Sequence, residues 1–150
     1  MVCVALAGLL HRSGQAISAG WYNDMKTLLA VAIGGAVGAI GRHLVASQVT
    51  KIFGTGFPLG TLTVNVIGSF VMGCLVETMA LAWSPSPELR ALLAVGFLGA
   101  FTTFSTFSME VVLLVDRGQY VEAAAYVLTS VVFSVGGLFF GLHLVRTVIA

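Results

Sequence analysis

Four long apolar stretches, separated by short loops, constrain this chain more than any other feature of its sequence. They cover residues 27–47, 59–83, 89–115 and 121–145. Each is long enough for an α-helix to cross a bilayer, which takes about 20 residues. Only 9% of the chain is charged, against about a quarter in soluble domains, so polar side chains are too few to cover a water-soluble globule. The sequence therefore predicts an all-α membrane protein with four transmembrane helices.

The loops between these stretches are too short for a second domain, so residues 25–150 are predicted to form one transmembrane domain. Residues 1–24 differ in character. Their apolar run is too short to span a bilayer, and no basic residue precedes it as in a signal peptide. Because Met25 and Lys26 stand directly before the first long stretch, we expect residues 1–24 to be a disordered leader or the product of a misassigned start codon.

The basic residues beside the predicted spans do not define one orientation in the membrane. Cytoplasmic loops normally carry the excess of Lys and Arg. Here the two sides are balanced when the leader is left out, which leaves two alternatives. Either other features fix the orientation, or copies insert in both orientations and pair antiparallel. The two sets are Lys26, Arg90 and Arg146 on the N-terminal side, and Arg42, Lys51 and Arg117 on the other.

The third stretch concentrates hydroxyl residues too closely for one helix face. Gly96 and Gly99 precede them, and both Gly and β-branched Thr weaken a helix. A local break is therefore predicted over residues 99–103. Irregular backbone at membrane depth is tolerated where it is buried in protein or lines a cavity, and such breaks recur at ion sites. The hydroxyl residues are Thr102, Thr103, Ser105, Thr106 and Ser108.

Further polar and aromatic residues recur at helical spacing and predict a path for a small anion. Neutral hydroxyl and amide groups donate hydrogen bonds, and the edge of a phenyl ring is positive. Each set also has a purely structural interpretation, because Ser and Thr often bond to their own helix and Phe often faces lipid. The sets are Thr61 with Asn65, Tyr126 with Ser130 and Ser134, and Phe104 with Phe107.

Arg42 and several pairs of small residues complete the pattern. Arg42, near the end of the first stretch, would attract anions at a pore mouth or anchor the helix at the interface by snorkelling. Small residues four apart let helix backbones approach closely in lipid, and with only four helices in the chain, oligomerisation is plausible. The pairs are Gly34 with Gly38, Ser69 with Gly73, and Gly137 with Gly141.

Two of these stretches resemble the signature segments of the CrcB/Fluc fluoride channel family. Residues 60–73 read GTLTVNVIGSFVMG, and residues 96–110 read GFLGAFTTFSTFSME. The Gly41–Arg42 step and the stripe that begins at Tyr126 fit the same family, and the resemblance covers residues 25–145. It implies a fluoride-specific channel, not an enzyme, in the inner (plasma) membrane. Such a channel exports fluoride passively and so reduces its toxicity.

The resemblance also implies an architecture and a set of site residues. Members of the family are dual-topology antiparallel homodimers in the lipid bilayer, with a structural sodium ion (Na+) at the dimer centre. By motif position, the backbone carbonyls of Gly99 and Thr102 would hold this ion. Arg42 and Glu110 would lie at the mouth or end of the pore. The residues that would line the pore are Asn65, Phe104, Phe107, Thr61, Tyr126, Ser130 and Ser134.

The chain departs from the family pattern beside the break. Ala100 stands where a second glycine is common, and Phe101 stands where residues are usually smaller or aliphatic.

A small proton-coupled multidrug exporter is the alternative function, since those proteins are also four-helix antiparallel dimers. They need a carboxylate within the membrane, and the first stretch has none. Glu77 and Glu110 come late in their stretches.

Overall fold

A computed structural model of the chain is helical and describes the backbone of residues 2–149 and the side chains of residues 24–149. The prediction of a leader over residues 1–24 therefore falls outside the described side chains and stays a prediction. The elements in order are α1 (Val2–Phe53), α2 (Leu59–Leu81), α3 (Pro87–Arg90), a π-helical segment (Ala91–Leu98), α4 (Gly99–Phe101), α5 (Phe104–Asp116) and α6 (Tyr120–Ile149).

Within the described residues, four segments are long and apolar enough to cross a membrane: Asp24–Phe53, Leu59–Leu81, Pro87–Asp116 and Tyr120–Ile149. This confirms the predicted number of spans. The third span is composite, because α3, the π-helical segment, α4 and α5 follow one another within it. The first span continues to Phe53, beyond the predicted end at residue 47. Arg42 therefore lies further from the helix end than the sequence suggested.

Local chemistry at the loops explains where the helices stop and start. Gly54 and Gly118 have φ angles of 84° and 74°, a left-handed conformation that favours glycine and commonly ends a helix. They follow α1 and α5. The third span begins where the Ser86 side chain accepts a hydrogen bond from the Leu89 N–H, which caps the first turn. Pro87 stands directly after this cap, where a missing N–H costs nothing.

Glycines set the contacts between helices, as the paired small residues predicted. A Cβ atom on Gly38 would overlap the carbonyl oxygen of Phe97, so α1 meets the third span backbone to backbone. On the other side of the bundle, a Cβ on Gly73 would overlap the Leu138 carbonyl, and one on Gly141 the Phe70 carbonyl. Such close approach replaces the hydrophobic driving force that is absent in lipid. The small-residue pairs therefore mark contacts within the chain.

The π-helical segment is the part of the third span that packs on α1. At its end, the Gly99 N–H donates to the Ala94 carbonyl, five residues earlier, as in a π-helix. Gly96 lies against the backbone of α1, because a Cβ there would be 2.8 Å from the Val31 carbonyl oxygen and 3.0 Å from the Gly34 Cα. Nothing in the sequence pattern predicted this wider helix.

An ion pair ties α2 to α6 at the membrane face opposite the α1–α2 loop. The Arg146 Nε donates to Glu77 Oε1 at 2.8 Å. Glu77 is buried, whereas the Arg146 side chain is mostly exposed. A buried carboxylate needs such a partner, so this pair explains how Glu77 is accommodated late in its span.

Candidate functional site

The third span breaks at two consecutive residues. α4 ends at Phe101 and α5 begins at Phe104. Thr102 (φ −86°, ψ 161°) and Thr103 (φ −154°, ψ 125°) are extended. The predicted break over residues 99–103 is confirmed and narrowed to this pair. Gly99 is still helical, with φ −63° and ψ −34°, so the helix does not stop at the glycine.

Asn65 of α2 holds the broken backbone. The Thr103 N–H donates to Asn65 Oδ1 at 2.8 Å, and Asn65 Nδ2 donates to the Thr103 carbonyl oxygen at 3.0 Å. One side-chain amide thus pairs both backbone groups of a residue that a helix no longer satisfies. Asn65 is therefore a structural clamp on the break, and this role uses one of the two N–H groups of its amide.

The threonines of the break cap the two helix ends. Thr102 Oγ1 donates to the Leu98 carbonyl at 3.0 Å, closing α4. Thr103 Oγ1 accepts the Thr106 N–H at 3.3 Å, which is an N-cap of α5, and it donates to Thr106 Oγ1 at 3.1 Å. Sequence reasoning assigned no capping role to these hydroxyls. The signal was present, since Thr is a preferred N-cap residue.

A cavity of about 320 Å³ lies beside the break, between α2, α5 and α6. It brings together most of the residues that the sequence predicted for a pore. Thr61 and Tyr126 are not on its wall. The wall carries no charged residue among those that the structure describes there. The predicted residues on the wall are Asn65, Thr102, Phe104, Phe107, Ser130 and Ser134.

Ser130 contributes an unsatisfied hydroxyl to this wall. The residue is 6% exposed, and its Oγ has no hydrogen-bond partner among the described residues. Leaving a buried hydroxyl unpaired costs free energy, so such a group marks a place where a ligand or water would be bound. Its neighbour Thr129, by contrast, donates to the Ala125 carbonyl of its own helix at 2.7 Å.

Thr61, Glu110 and Tyr126 form a separate, hydrogen-bonded cluster. Thr61 Oγ1 donates to Glu110 Oε1 at 2.8 Å, and the Tyr126 hydroxyl donates to Glu110 Oε2 at 2.7 Å. Tyr126 is fully buried and Thr61 is 4% exposed. The cluster joins α2, α5 and α6 through one carboxylate. No spacing in the sequence connects these three residues, because they belong to three different helices.

Aromatic rings extend from the first cavity past this cluster. Ring centroids are 5.5 Å apart for Phe104 and Phe107, 5.2 Å for Phe107 and Tyr126, and 5.5 Å for Tyr126 and Phe57. Phe57, in the loop before α2, was not predicted as a site residue. It borders a second cavity of about 220 Å³, which Glu110 also borders. The row of rings therefore runs from one cavity to the other.

Arg42 and Gly99 lie elsewhere. Gly41 lies against the ring of Phe101, so its neighbour Arg42 is on α1 at the level of the break. Arg42 is half-buried, and Gly99 is exposed on the surface of the single chain. Neither borders the two cavities. No group of three or more His, Cys, Asp or Glu side chains lies close enough to bind a metal within the described part of the chain.

Fold and site together define a small multi-pass membrane protein whose third span is broken beside an uncharged cavity lined by hydroxyl, amide and phenyl groups. The sequence model described as CrcB-like protein, Camphor Resistance (CrcB), matches residues 29–142. This match covers most of the chain, and the protein belongs to the CrcB-like family.

Curated relatives support the same assignment. The chain is 56% identical to the fluoride-specific ion channel FluC of Rhodospirillum centenum over 126 residues, 84% of this chain and 100% of the relative. It is 52% identical to the FluC of Chelativorans sp. over 83% of this chain and 100% of that protein. It is 49% identical to the FluC of Vibrio cholerae over 75% of this chain and 90% of the relative.

Proposed function

We propose that the protein is a fluoride-specific ion channel that lets fluoride leave the cell passively and so reduces fluoride toxicity. The observation that carries the proposal is the uncharged cavity at the break, walled by neutral donors and phenyl rings. The names of the relatives supply the ion. As a multi-pass protein with this role, it would reside in the inner (plasma) membrane.

The chemistry of the wall suits a small, strongly hydrated anion. Ser130, Ser134 and the second N–H of the Asn65 amide can replace water as donors, and the rings of Phe104 and Phe107 offer positive edges. A fixed cation would bind the anion too tightly for release, since conduction requires binding that is weak enough to leave. The exporter alternative needs a carboxylate at the transport site, and the described wall of this cavity has none.

An antiparallel homodimer would complete the site. In the single chain, Gly99, Ser105 and His43 are exposed although they lie within spans, and Phe104 is 79% exposed beside the cavity. Polar groups and irregular backbone are costly against lipid and belong against protein or water. A second copy that packs over the break would cover them. Insertion in both orientations would account for the balanced basic residues.

A sodium ion at the dimer centre fits the chemistry of the break. The last carbonyls of a helix have no partner within it. At the end of α4, the N–H and the hydroxyl of Thr102 both donate to the Leu98 carbonyl. The carbonyls that follow are then left for another partner. Those of Gly99 and Thr102 would hold the ion, as at other broken membrane helices. When bound, the ion would supply positive charge that fixes the two breaks to each other.

Efflux from liposomes tests the proposed function. The purified protein is reconstituted into vesicles loaded with potassium fluoride or potassium chloride, and the ion that leaves is followed with a selective electrode after valinomycin is added. We expect rapid loss of fluoride with chloride retained. Equal loss of the two anions, or no loss of fluoride above that from protein-free vesicles, would contradict the proposal.

A further inference from the structure

The second cavity lies where α1 and α5 end, beside the α1–α2 loop. The α1–α2 loop borders it with Thr55 and Phe57, and the end of α5 borders it with Glu110 and Arg117. α1 ends at Phe53 and α5 ends at Asp116. The cavity, about 220 Å³ in volume, therefore opens at the level where the spans leave the hydrocarbon.

Tyr126 separates this cavity from the one at the break. Its ring packs against Phe107, which lines the first cavity, and edge-on against Phe57, which lines the second. Its hydroxyl donates to Glu110, which lines the second cavity. The two cavities thus lie on opposite sides of one buried side chain. On the proposed function, an anion that passes Tyr126 would enter or leave through the second cavity.

The charges on the second cavity explain how an anion can occupy it. Glu110 is its acidic residue and Arg117 its basic residue. Both carboxylate oxygens of Glu110 accept hydrogen bonds from Thr61 and Tyr126, but its negative charge remains. Arg117 is exposed, and its side chain has no ion-pair or hydrogen-bond partner among the described residues. Without Arg117, the wall would carry a net negative charge.

We propose that Arg117 is the residue that captures anions at this mouth of the pathway, by offsetting Glu110 and raising the local anion concentration. The proposal rests on the proposed function and assigns a role to a residue that neither the motifs nor the family resemblance singled out. A cleft lined by charge of one sign speeds the arrival of ions of the other sign, and salt weakens this steering. We therefore expect Arg117 to raise the rate at which anions enter this mouth, most strongly at low ionic strength.

Three variants separate capture from structure. Arg117→Gln removes the charge, Arg117→Lys keeps it without the guanidinium, and Lys51→Gln removes a cation at the same face that does not border the cavity. Initial fluoride efflux from liposomes is measured at ionic strengths of about 0.01 M and about 1 M, where the Debye length is about 30 Å and about 3 Å. An impermeant potassium salt sets the ionic strength.

We expect Arg117→Gln to lower fluoride efflux by roughly three- to tenfold at low ionic strength, with the difference vanishing at high ionic strength. Arg117→Lys should match the wild type at both, and Lys51→Gln, whose charge lies outside the cavity wall, should lose clearly less efflux than Arg117→Gln at low ionic strength. Equal loss in Arg117→Gln and Lys51→Gln, or a loss that salt does not change, would overturn the capture role. If the wild-type protein passes no fluoride, the proposed function itself fails, and that result is distinct from a failure confined to Arg117.

Discussion

The two halves of the third span are held in place by different means. The π-helical half (Ala91–Leu98) meets α1 backbone to backbone, at glycines where a Cβ would find no room. The half formed by α5 (Phe104–Asp116) meets its neighbours through hydrogen bonds to side chains and leaves a cavity beside it. Between them lies the break at Thr102 and Thr103.

This difference indicates that the two halves of the span have different roles. The first half packs closely on α1 through backbone contacts, and these contacts position the end of α4. The second half carries the polar groups and rings that face the cavity. One span can therefore provide both a closely packed support and a wall of polar groups and rings, because the break lets its two halves contact different neighbours. Variants that disturb the packing of the first half should therefore differ, in stability and in fluoride efflux, from variants that disturb the cavity wall.

The largest expected effect is on the tightly packed half. Gly38→Ala would place a Cβ against the Phe97 carbonyl oxygen, and backbone there cannot move aside. Overpacking costs about 1–3 kcal/mol or more, so we expect a lower thermal unfolding midpoint in detergent and less folded protein. Gly35→Ala on the same helix is the control, since its Cβ would meet nothing closer than 4.0 Å. Equal stability of the two variants would contradict the packing argument.

Loss of the Asn65 clamp should come next. Asn65→Ala removes the partner of the Thr103 N–H and carbonyl. Because Thr103 borders the cavity, water can replace part of this bonding, and we expect a cost of about 1–3 kcal/mol in total. We expect both a lower unfolding midpoint and loss of fluoride efflux, because the break and the cavity wall change together. Thr63→Val is the matched control two residues away, at a half-buried threonine of α2. An Asn65→Ala protein with wild-type stability would show that the clamp does not hold the break.

The smallest effect on stability, with the opposite sign, is expected at Ser130. Removing an unpaired buried hydroxyl relieves a desolvation cost, so Ser130→Ala should raise the unfolding free energy by about 1 kcal/mol or leave it unchanged. Fluoride efflux should nevertheless fall severalfold, because a donor on the cavity wall is lost. Thr129→Ala removes a hydroxyl that bonds to its own helix and should leave efflux unchanged. If Ser130→Ala keeps full efflux, the hydroxyl has no part in conduction.

Much of the fold could be predicted from the sequence because apolar length and glycine spacing are properties of one helix at a time. The four spans, the break and the glycine contacts are of this kind. The polar residues of the first cavity were also found by spacing, since those on α6, Ser130 and Ser134, share a face of one helix.

Contacts between helices could not be predicted in the same way. The pairing of Asn65 with Thr103 and the cluster around Glu110 depend on how far each helix is rotated and where the break stops. The second cavity depends on the path of the α1–α2 loop. None of these is encoded by spacing along one helix. Antiparallel pairing and the sodium ion stay predictions, supported by the residues exposed at the break and by its interrupted helical backbone.

The central claim is that the rings and donors at the break form the path of the ion. It is tested most directly by fluoride efflux from liposomes for Phe104→Ile, Phe107→Ile and Phe140→Ile. Phe104 and Phe107 line the cavity, whereas Phe140 is 60% exposed on α6, stacked on Phe70 away from it. We predict that Phe104→Ile and Phe107→Ile stay folded but lose fluoride efflux, and that Phe140→Ile keeps it. Wild-type fluoride efflux in both cavity variants, or an equal loss in Phe140→Ile, would contradict the account.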